Sequence, residues 1–349
     1  RIHLITPAKP GSRAGNRATA VRWAGHLRRL GHRVTVATEY QGESADAMIA
    51  LHAWRSARSI ERFAKRYPGR PLIVALAGTD IHRFQFSHSG PTLRSMALAD
   101  VLITLHGEVA NHIPARFRRK ISVVYQSAKP LARRPSPSRR RFEVCAIGHL
   151  RAEKDPLRAA YAARFLPAAS RARVTQLGQA IGPEWERKAK EEARKNPRYR
   201  WLGEVAHERV RDVMGRSRVM VISSVMEGGA NVVSEAAVAG LPVIASRIPG
   251  NVGLLGRGYP GYFPLKDKHA LARLLRRAEE DPDFLAQLMR AVAARAGLFR
   301  PAVERAMLKA ALARAVAQAQ IKEQSGSIPA RRRARTPGRS ASSGRNPRP

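Results

Sequence analysis

Short apolar runs of strand length, each followed by a stretch of helical periodicity, recur along this chain from its first residues to about position 246. Runs too apolar to alternate between two faces belong to parallel strands covered by helices on both sides. A first series reads as strands at Ile2 to Thr6, Arg33 to Thr38, Ala47 to Leu51, Leu72 to Ala77, Val101 to Leu105 and Ile121 to Tyr125. Helices are expected from Asn16 to Leu30, with Asn16 as N-cap and Gly31 as stop, and from Arg55 to Lys65. A second series starts at Phe142 to Ile147 and continues at Val174 to Leu177, Tyr199 to Leu202, Met220 to Ser223 and Val243 to Ala245. Between the two lies Ser127 to Arg140, an aperiodic stretch with three prolines and the composition of a linker. The pattern specifies an α/β protein of two doubly wound domains, residues 1–126 and 142–299, joined by a linker over 127–141. A last helix over 300–322, opened by Pro301, is expected to pack back toward the first domain, and residues 323–349 read as a disordered basic tail.

Two such domains leave a cleft, and ligands of these sheets bind at the carboxyl ends of strands. Charge bears on which ligands. With 64 Lys and Arg against 26 Asp and Glu the formal net charge is +38, which raises the question of a polyanion. The cations are spread through every segment, and aromatics at 6% form no stacking platform, so nucleic acid is not the expected partner. Some of the charge is expected to serve an anionic substrate. No run approaches the roughly 20 apolar residues of a membrane span. The single Cys145 excludes an internal disulfide and a cysteine metal cluster, and with no basic-then-apolar opening segment the expected location is the cytoplasm.

The most informative stretch is MVISSVMEGGANVVSEAAVAGLPVIAS, Met220 to Ser246, a single strand–loop–helix–strand unit. Its loop carries Glu227, Gly228 and Gly229; Ala230 and Asn231 lead into the helix, and Glu235 sits in the second turn. A helix start preceded by glycines offers free backbone N–H groups and a positive dipole end to an anion such as a diphosphate. The two carboxylates, one on the loop and one on the helix, accept from sugar and ribose hydroxyls. That combination suits a nucleotide-sugar; an ordinary loop with two solvated glutamates is the plainer reading. A second loop, Gly148-His149-Leu150-Arg151-Ala152-Glu153-Lys154, follows the first strand of the second domain and carries cations for a diphosphate. In the first domain Gly11, Ser12, Arg13, Gly15, Asn16 and Arg17 surround the first strand–helix connection, a glycine-containing loop suited to an anionic acceptor. It lacks the complete dinucleotide fingerprint, which sets an oxidoreductase aside. Thr79, Asp80 and Arg83 follow the Leu72 strand, and His52 and Trp54 follow the Ala47 strand. Asp80 is a candidate base or sugar ligand, or else a cap of the turn after it.

The Glu-x7-Glu frame from Glu227 to Glu235 resembles the donor site of retaining family 4 glycosyltransferases, which have the GT-B fold of two Rossmann-like domains facing each other across a cleft. The resemblance implies that Glu235 binds the ribose of a nucleotide and Glu227 the donor sugar, with Gly228, Gly229, Ala230 and Asn231 offering backbone groups to sugar and diphosphate. Lys154 matches the family's diphosphate lysine. His149 stands where an Arg is usual, and Arg151 is placed to substitute. Ala77-Gly78-Thr79-Asp80 resembles the family's HGTD element, with Ala77 in place of the His. The expected catalytic set is Glu227, Asp80 and His52, and the expected acceptor set is Gly11, Ser12, Arg13, Gly15, Asn16, Arg17, Thr79 and Arg83. No cofactor or metal is expected, because Lys154 and Arg151 can neutralise the leaving diphosphate.

A narrower resemblance spans roughly residues 1 to 300. The segments RIHLITPAKPGSRAGNRATAVRWAGHLRRLGHRV, ALAGTDIHRF, IGHLRAEKDPLRAA, NPRYRWLGEV and VIASRIPGNVGLLG are similar to the selenosugar synthases of selenoneine biosynthesis, an offshoot of family 4. It implies transfer of the sugar of a UDP-sugar, typically UDP-N-acetylglucosamine, to selenophosphate, with other enzymes of that pathway as expected partners. Selenium is a soft, strong nucleophile that needs a general base less than a hydroxyl does, and this accords with Ala77. The alternative is a conventional family 4 enzyme with a hydroxyl acceptor.

Overall fold

A computed structural model describes residues 1–12, 15–131 and 136–326. The first sheet comprises β1 (Ile2–Ile5), β2 (Val34–Ala37), β3 (Ala47–Leu51), β4 (Leu72–Ala75), β5 (Val101–Thr104) and β6 (Ile121–Val123). Its order is β2-β1-β3-β4-β5-β6, parallel throughout, with Leu4 of β1 between Val36 of β2 and Ile49 of β3. The second sheet comprises β7 (Phe142–Ile147), β8 (Ala172–Leu177), β9 (Tyr199–Trp201), β10 (Val219–Ile222), β11 (Val243–Ser246) and β12 (Tyr262–Phe263), in the parallel order β12-β11-β10-β7-β8-β9. β1, β3, β4, β5, β10 and β11 are buried at every position, as predominantly apolar strands under two helical layers are; His3, Thr104 and Ser246 are the polar residues among them.

In each sheet the chain adds strands in one direction and then returns to build in the other. The reversal lies between β1 and β3 in the first sheet and between β7 and β10 in the second. These are the crevices where open α/β sheets bind ligands. The loops after β1, β3, β7 and β10 therefore flank the two crevices, and they are the loops that hold most of the expected site residues.

Helices of the first domain are α1 (Gly15–Arg29), α2 (Ala57–Arg66), α3 (Gln85–Ser87) and α4 (Ser89–Leu98). The second has α5 (Arg158–Ala163), α6 (Pro183–Lys195), α7 (His207–Arg216), α8 (Asn231–Val238), α9 (Pro249–Leu255), α10 (Lys268–Glu280) and α11 (Pro282–Ala296). α1 begins at Gly15, so Asn16 lies in its first turn and is not its N-cap. Gly31, at φ +89°, ends it with a paired closure: Gly31 N–H donates to Arg28 O at 3.0 Å and His32 N–H to Leu27 O at 3.1 Å. A side chain there would be strained in the left-handed conformation this closure requires.

The last helix, α12 (Pro301–Gly326), extends past the expected end at Lys322, so the predicted tail starts inside it; residues 327–349 lie outside the described residues. Leu308, Ala311, Leu312 and Ala315, spaced for one helical face, are buried with Leu4, Ile49, Ile73 and Ile103 of the first sheet. α12 thus follows the second domain in sequence and completes the core of the first. β12, two residues long, is too short to leave a periodic signal in the sequence. Among the described residues no helix is long and apolar enough to cross a membrane.

Candidate active site

The second-domain crevice is built by two loops tied to each other. Ser223, at the end of β10, donates through its hydroxyl to the carbonyls of Lys154 at 3.3 Å and Asp155 at 2.8 Å, and Val225 N–H donates to Glu153 O at 2.9 Å. This stitching brings Lys154 Nζ to 2.5 Å from Glu227 Oε1, which also accepts from Ser224 Oγ at 2.6 Å. Ser246 Oγ bonds the Ser224 carbonyl at 2.6 Å and Asn251 Nδ2 bonds the Ser246 carbonyl at 2.9 Å, so the loop is braced from β11 and α9 as well. Glu227 is buried, and Lys154 is its ion-pair partner.

Just beyond, α8 starts at Asn231 with Ala230 as N-cap, and no side chain caps its first N–H groups. Its open dipole end is a place for an anion. Glu235 is half-buried one turn on, and burial raises its carboxyl pKa; His207 and Arg211 of α7 and Arg22 of α1 pull it back down. Arg151 is exposed on the β7 loop, and His149 is half-buried with its Nδ1 unpartnered and its pKa lowered by burial. Of the expected donor residues, Glu227 and Lys154 therefore meet directly. Gly228 and Gly229 complete the loop between them and α8.

On the first-domain side, Asp80 has no solvent exposure and four partners. Its Oδ2 accepts from Ala53 N–H at 2.8 Å and Ala77 N–H at 2.9 Å; its Oδ1 accepts from Trp54 N–H at 3.1 Å and lies 2.7 Å from His52 Nδ1. A carboxylate so enclosed does not act as the base or as a sugar ligand. It clamps two loops and orients His52. His52 stands in the left-handed region at φ +77°, a costly conformation for this residue, and its Nε2 lies 3.2 Å from Thr79 Oγ1.

The expected acceptor residues do not form a single cluster. Gly11, Ser12 and Arg17 line a hollow of about 670 Å³ together with Arg22 and Lys129. Gly15 faces Asn231, since a Cβ added to Gly15 would lie 3.8 Å from Asn231 Nδ2. Arg83 crosses the cleft and pairs with Glu153 at 3.0 Å, and it is not among the residues that line this hollow. Arg13 lies outside the described residues.

The cleft is closed. A Cβ added to Gly78 would sit 2.4 Å from Gly228 N, and one added to Gly253 would sit 2.3 Å from His106 Nδ1. Arg257 of the second domain holds Glu108 of the first at 3.0 Å. His106, at the end of β5, is buried with both ring nitrogens unpartnered, and burial, with His82 and His112 nearby, lowers its pKa to about 4. His106 and Arg22 stand in no motif of the sequence. His106 follows an apolar strand in the same way as His52, and that position is the signal that marks it.

Residues 129–295 match the family described as Glycosyl transferases group 1. Over 89% of this chain and 99% of the other, the fold is similar to that of Anabaena Alr3699/HepE in complex with UDP-glucose, at a TM-score of 0.70 and 16% identity. Sucrose-phosphate synthase from Thermosynechococcus elongatus gives a TM-score of 0.64 at 15% identity over 93% of this chain and 98% of that one. S. aureus TarM gives 0.60 at 12% identity over 76% of this chain and 55% of its own. The two sheets and the cleft between them form a GT-B fold, and nearly all of its second domain lies within the residues that match Glycosyl transferases group 1.

Proposed function

We propose that this chain transfers the sugar of a UDP-sugar, UDP-N-acetylglucosamine in the first instance, to selenophosphate. The observation that carries the donor half is the Lys154–Glu227 contact beside the uncapped start of α8, at the reversal of the second sheet. There the N–H groups of α8, with Lys154 and Arg151, meet the diphosphate without a metal, Glu235 accepts from the ribose and Glu227 from the hexose. HepE, of similar fold, was solved with UDP and with UDP-glucose, which supports a uridine donor. In the reaction the bond from C1 of the sugar to the β-phosphate oxygen breaks and its electron pair leaves with UDP, while selenium forms the new bond to C1. Loss of the phosphoryl group to water then yields the 1-selenosugar.

The acceptor rests on the similarity of residues 1 to 300 to selenosugar synthases, with Ala77 in place of a histidine as support. One observation favours a hydroxyl acceptor instead. His52, held at Nδ1 by a buried Asp80, is oriented as a general base is, and a hydroxyl nucleophile needs one where selenium does not. Mass spectrometry of the product from UDP-N-acetylglucosamine and selenophosphate separates the two. A product with the isotope envelope of one selenium atom supports the first reading. No turnover with selenophosphate, and turnover with sugar hydroxyls, establishes the second.

A further inference from the structure

Glu304, in the first turn of α12, is a carboxylate with no solvent exposure. Its Oε1 accepts from Trp23 Nε1 at 2.7 Å and Arg22 Nε at 3.0 Å. Its Oε2 accepts from Arg22 Nε at 2.9 Å and Ser127 N–H at 3.0 Å, lies 3.2 Å from His26 Nε2, and is bonded by the Ser127 hydroxyl. A buried charge held from this many sides is a fixed point, since loss of any partner leaves it desolvated and under-bonded. It joins α12, α1 and the start of the linker. Arg22 leads out of this hub: the same guanidinium reaches across the cleft and donates through Nη2 to Asn231 Oδ1 at 3.3 Å. Asn231 is the first residue of α8, and Glu235 lies four residues on, on the same face of the helix. Arg22 is one of three basic side chains, with His207 and Arg211 of α7, that act on the Glu235 carboxyl.

The geometry points to Arg22 as a positioning residue that the first domain contributes to nucleotide binding: held by Glu304, it fixes Asn231 at the diphosphate end of α8 and places its guanidinium one helical turn from Glu235, the ribose ligand. The last helix of the chain is then part of the donor site, although it touches no expected ligand. This rests on the donor reading above. A neutral Glu235 would have lost the lone-pair capacity by which a carboxylate grips two hydroxyls. With Arg22 gone, Arg211 and His207 remain to oppose its protonation, so the loss is partial.

Calorimetric titration of the full chain with UDP, from about pH 8 down to about pH 5, tests this. The variants are Arg22→Ala, Arg22→Lys, Glu304→Gln and Glu235→Gln, with thermal melting as the check on folding. Arg22→Ala is expected to weaken UDP binding roughly ten-fold, one charge-assisted contact, and to move the acid loss of affinity to higher pH. Arg22→Lys keeps the charge and restores the wild-type pH profile while losing part of the affinity. Glu304→Gln acts in the direction of Arg22→Ala by loosening Arg22. In the Glu235→Gln background the pH effect of Arg22→Ala disappears. A purely structural role would lower affinity equally at every pH, and that result overturns the inference, as does a folded Arg22→Ala that binds UDP as the wild type does. If Arg22→Ala does not fold, the pH profile of Arg22→Lys decides. A wild type that does not bind UDP overturns the donor reading itself, which is a distinct failure.

Discussion

Lys154 Nζ lies 2.5 Å from Glu227 Oε1, although the two residues are 73 positions apart. The Ser223 hydroxyl, bonded to the Lys154 and Asp155 carbonyls, holds the two loops in register so that the pair forms. A lysine in this place can pass from Glu227 to a departing diphosphate. Lys154→Ala is therefore expected to lower kcat/KM by about 2 kcal/mol, or roughly thirty-fold, and the wild type is expected to keep its activity in excess EDTA. An activity abolished by EDTA and restored by Mg²⁺ or Mn²⁺ contradicts this electrostatic account.

Glu235 gives a pH signature. Burial raises its carboxyl above the ordinary value of 4.5. In the proposed role only the ionised form grips the ribose fully. A raised pKa means that protonation sets in at higher pH than for an exposed glutamate. UDP affinity should then be flat near neutral pH and fall on acidification before ordinary carboxylates titrate. Glu235→Gln should give weak binding with no such fall. A wild-type profile that stays level down to about pH 4 goes against the assignment.

Gly78 and Gly228 are where the two domains touch by backbone. A methyl group at position 78 would lie 2.4 Å from Gly228 N, and neither backbone can yield without the cleft opening. Gly78→Ala should leave each domain folded, enlarge the radius of gyration in solution scattering and lower turnover by roughly ten-fold or more, because a misplaced wall of the site disrupts alignment. Unchanged scattering together with unchanged turnover shows that closure at this seam is unnecessary.

Glu304 makes a separate prediction about stability. Burial alone would raise its pKa, but bonds from His26, Ser127 and Trp23 and the charge of Arg22 hold it down to about 2, against an ordinary 4.5. A depressed folded-state pKa contributes stability that is present above the ordinary value and lost as pH falls toward the folded one. That difference corresponds to about 3 kcal/mol. Glu304→Gln should lower urea-unfolding stability by an amount of this order at neutral pH, and the gap to the wild type should shrink below about pH 4. A gap independent of pH shows that the carboxylate's charge is not what anchors α12.

Much of this was legible in the sequence because it is local. Strand–helix alternation marks both sheets, and the stretch from Met220 to Ser246 carries its strand, glycines, helix and carboxylates within one unit. The remainder depends on contacts between distant segments. Arg22 meets Glu304 across 282 positions, and neither residue stands in a motif. Arg83 looked available for an acceptor, but the opposite domain supplies Glu153 to it. Asp80 looked like a base, and the bonds that enclose it come from the loop after β3, a strand away in the sheet. Periodicity reports which face of an element is buried, and it carries no information on which charge lies opposite across a cleft.

In the proposed donor site the two glutamates of the second domain bind different parts of one nucleotide-sugar. Calorimetry with UDP and with UDP-N-acetylglucosamine, on the wild type, Glu235→Ala and Glu227→Ala, tests it most directly. Glu235→Ala should weaken both ligands together, by roughly ten- to a hundred-fold, because both carry the ribose. Glu227→Ala should weaken the UDP-sugar and leave UDP nearly unchanged. Equal losses for both ligands in Glu227→Ala, or UDP affinity untouched in a folded Glu235→Ala, would contradict the account.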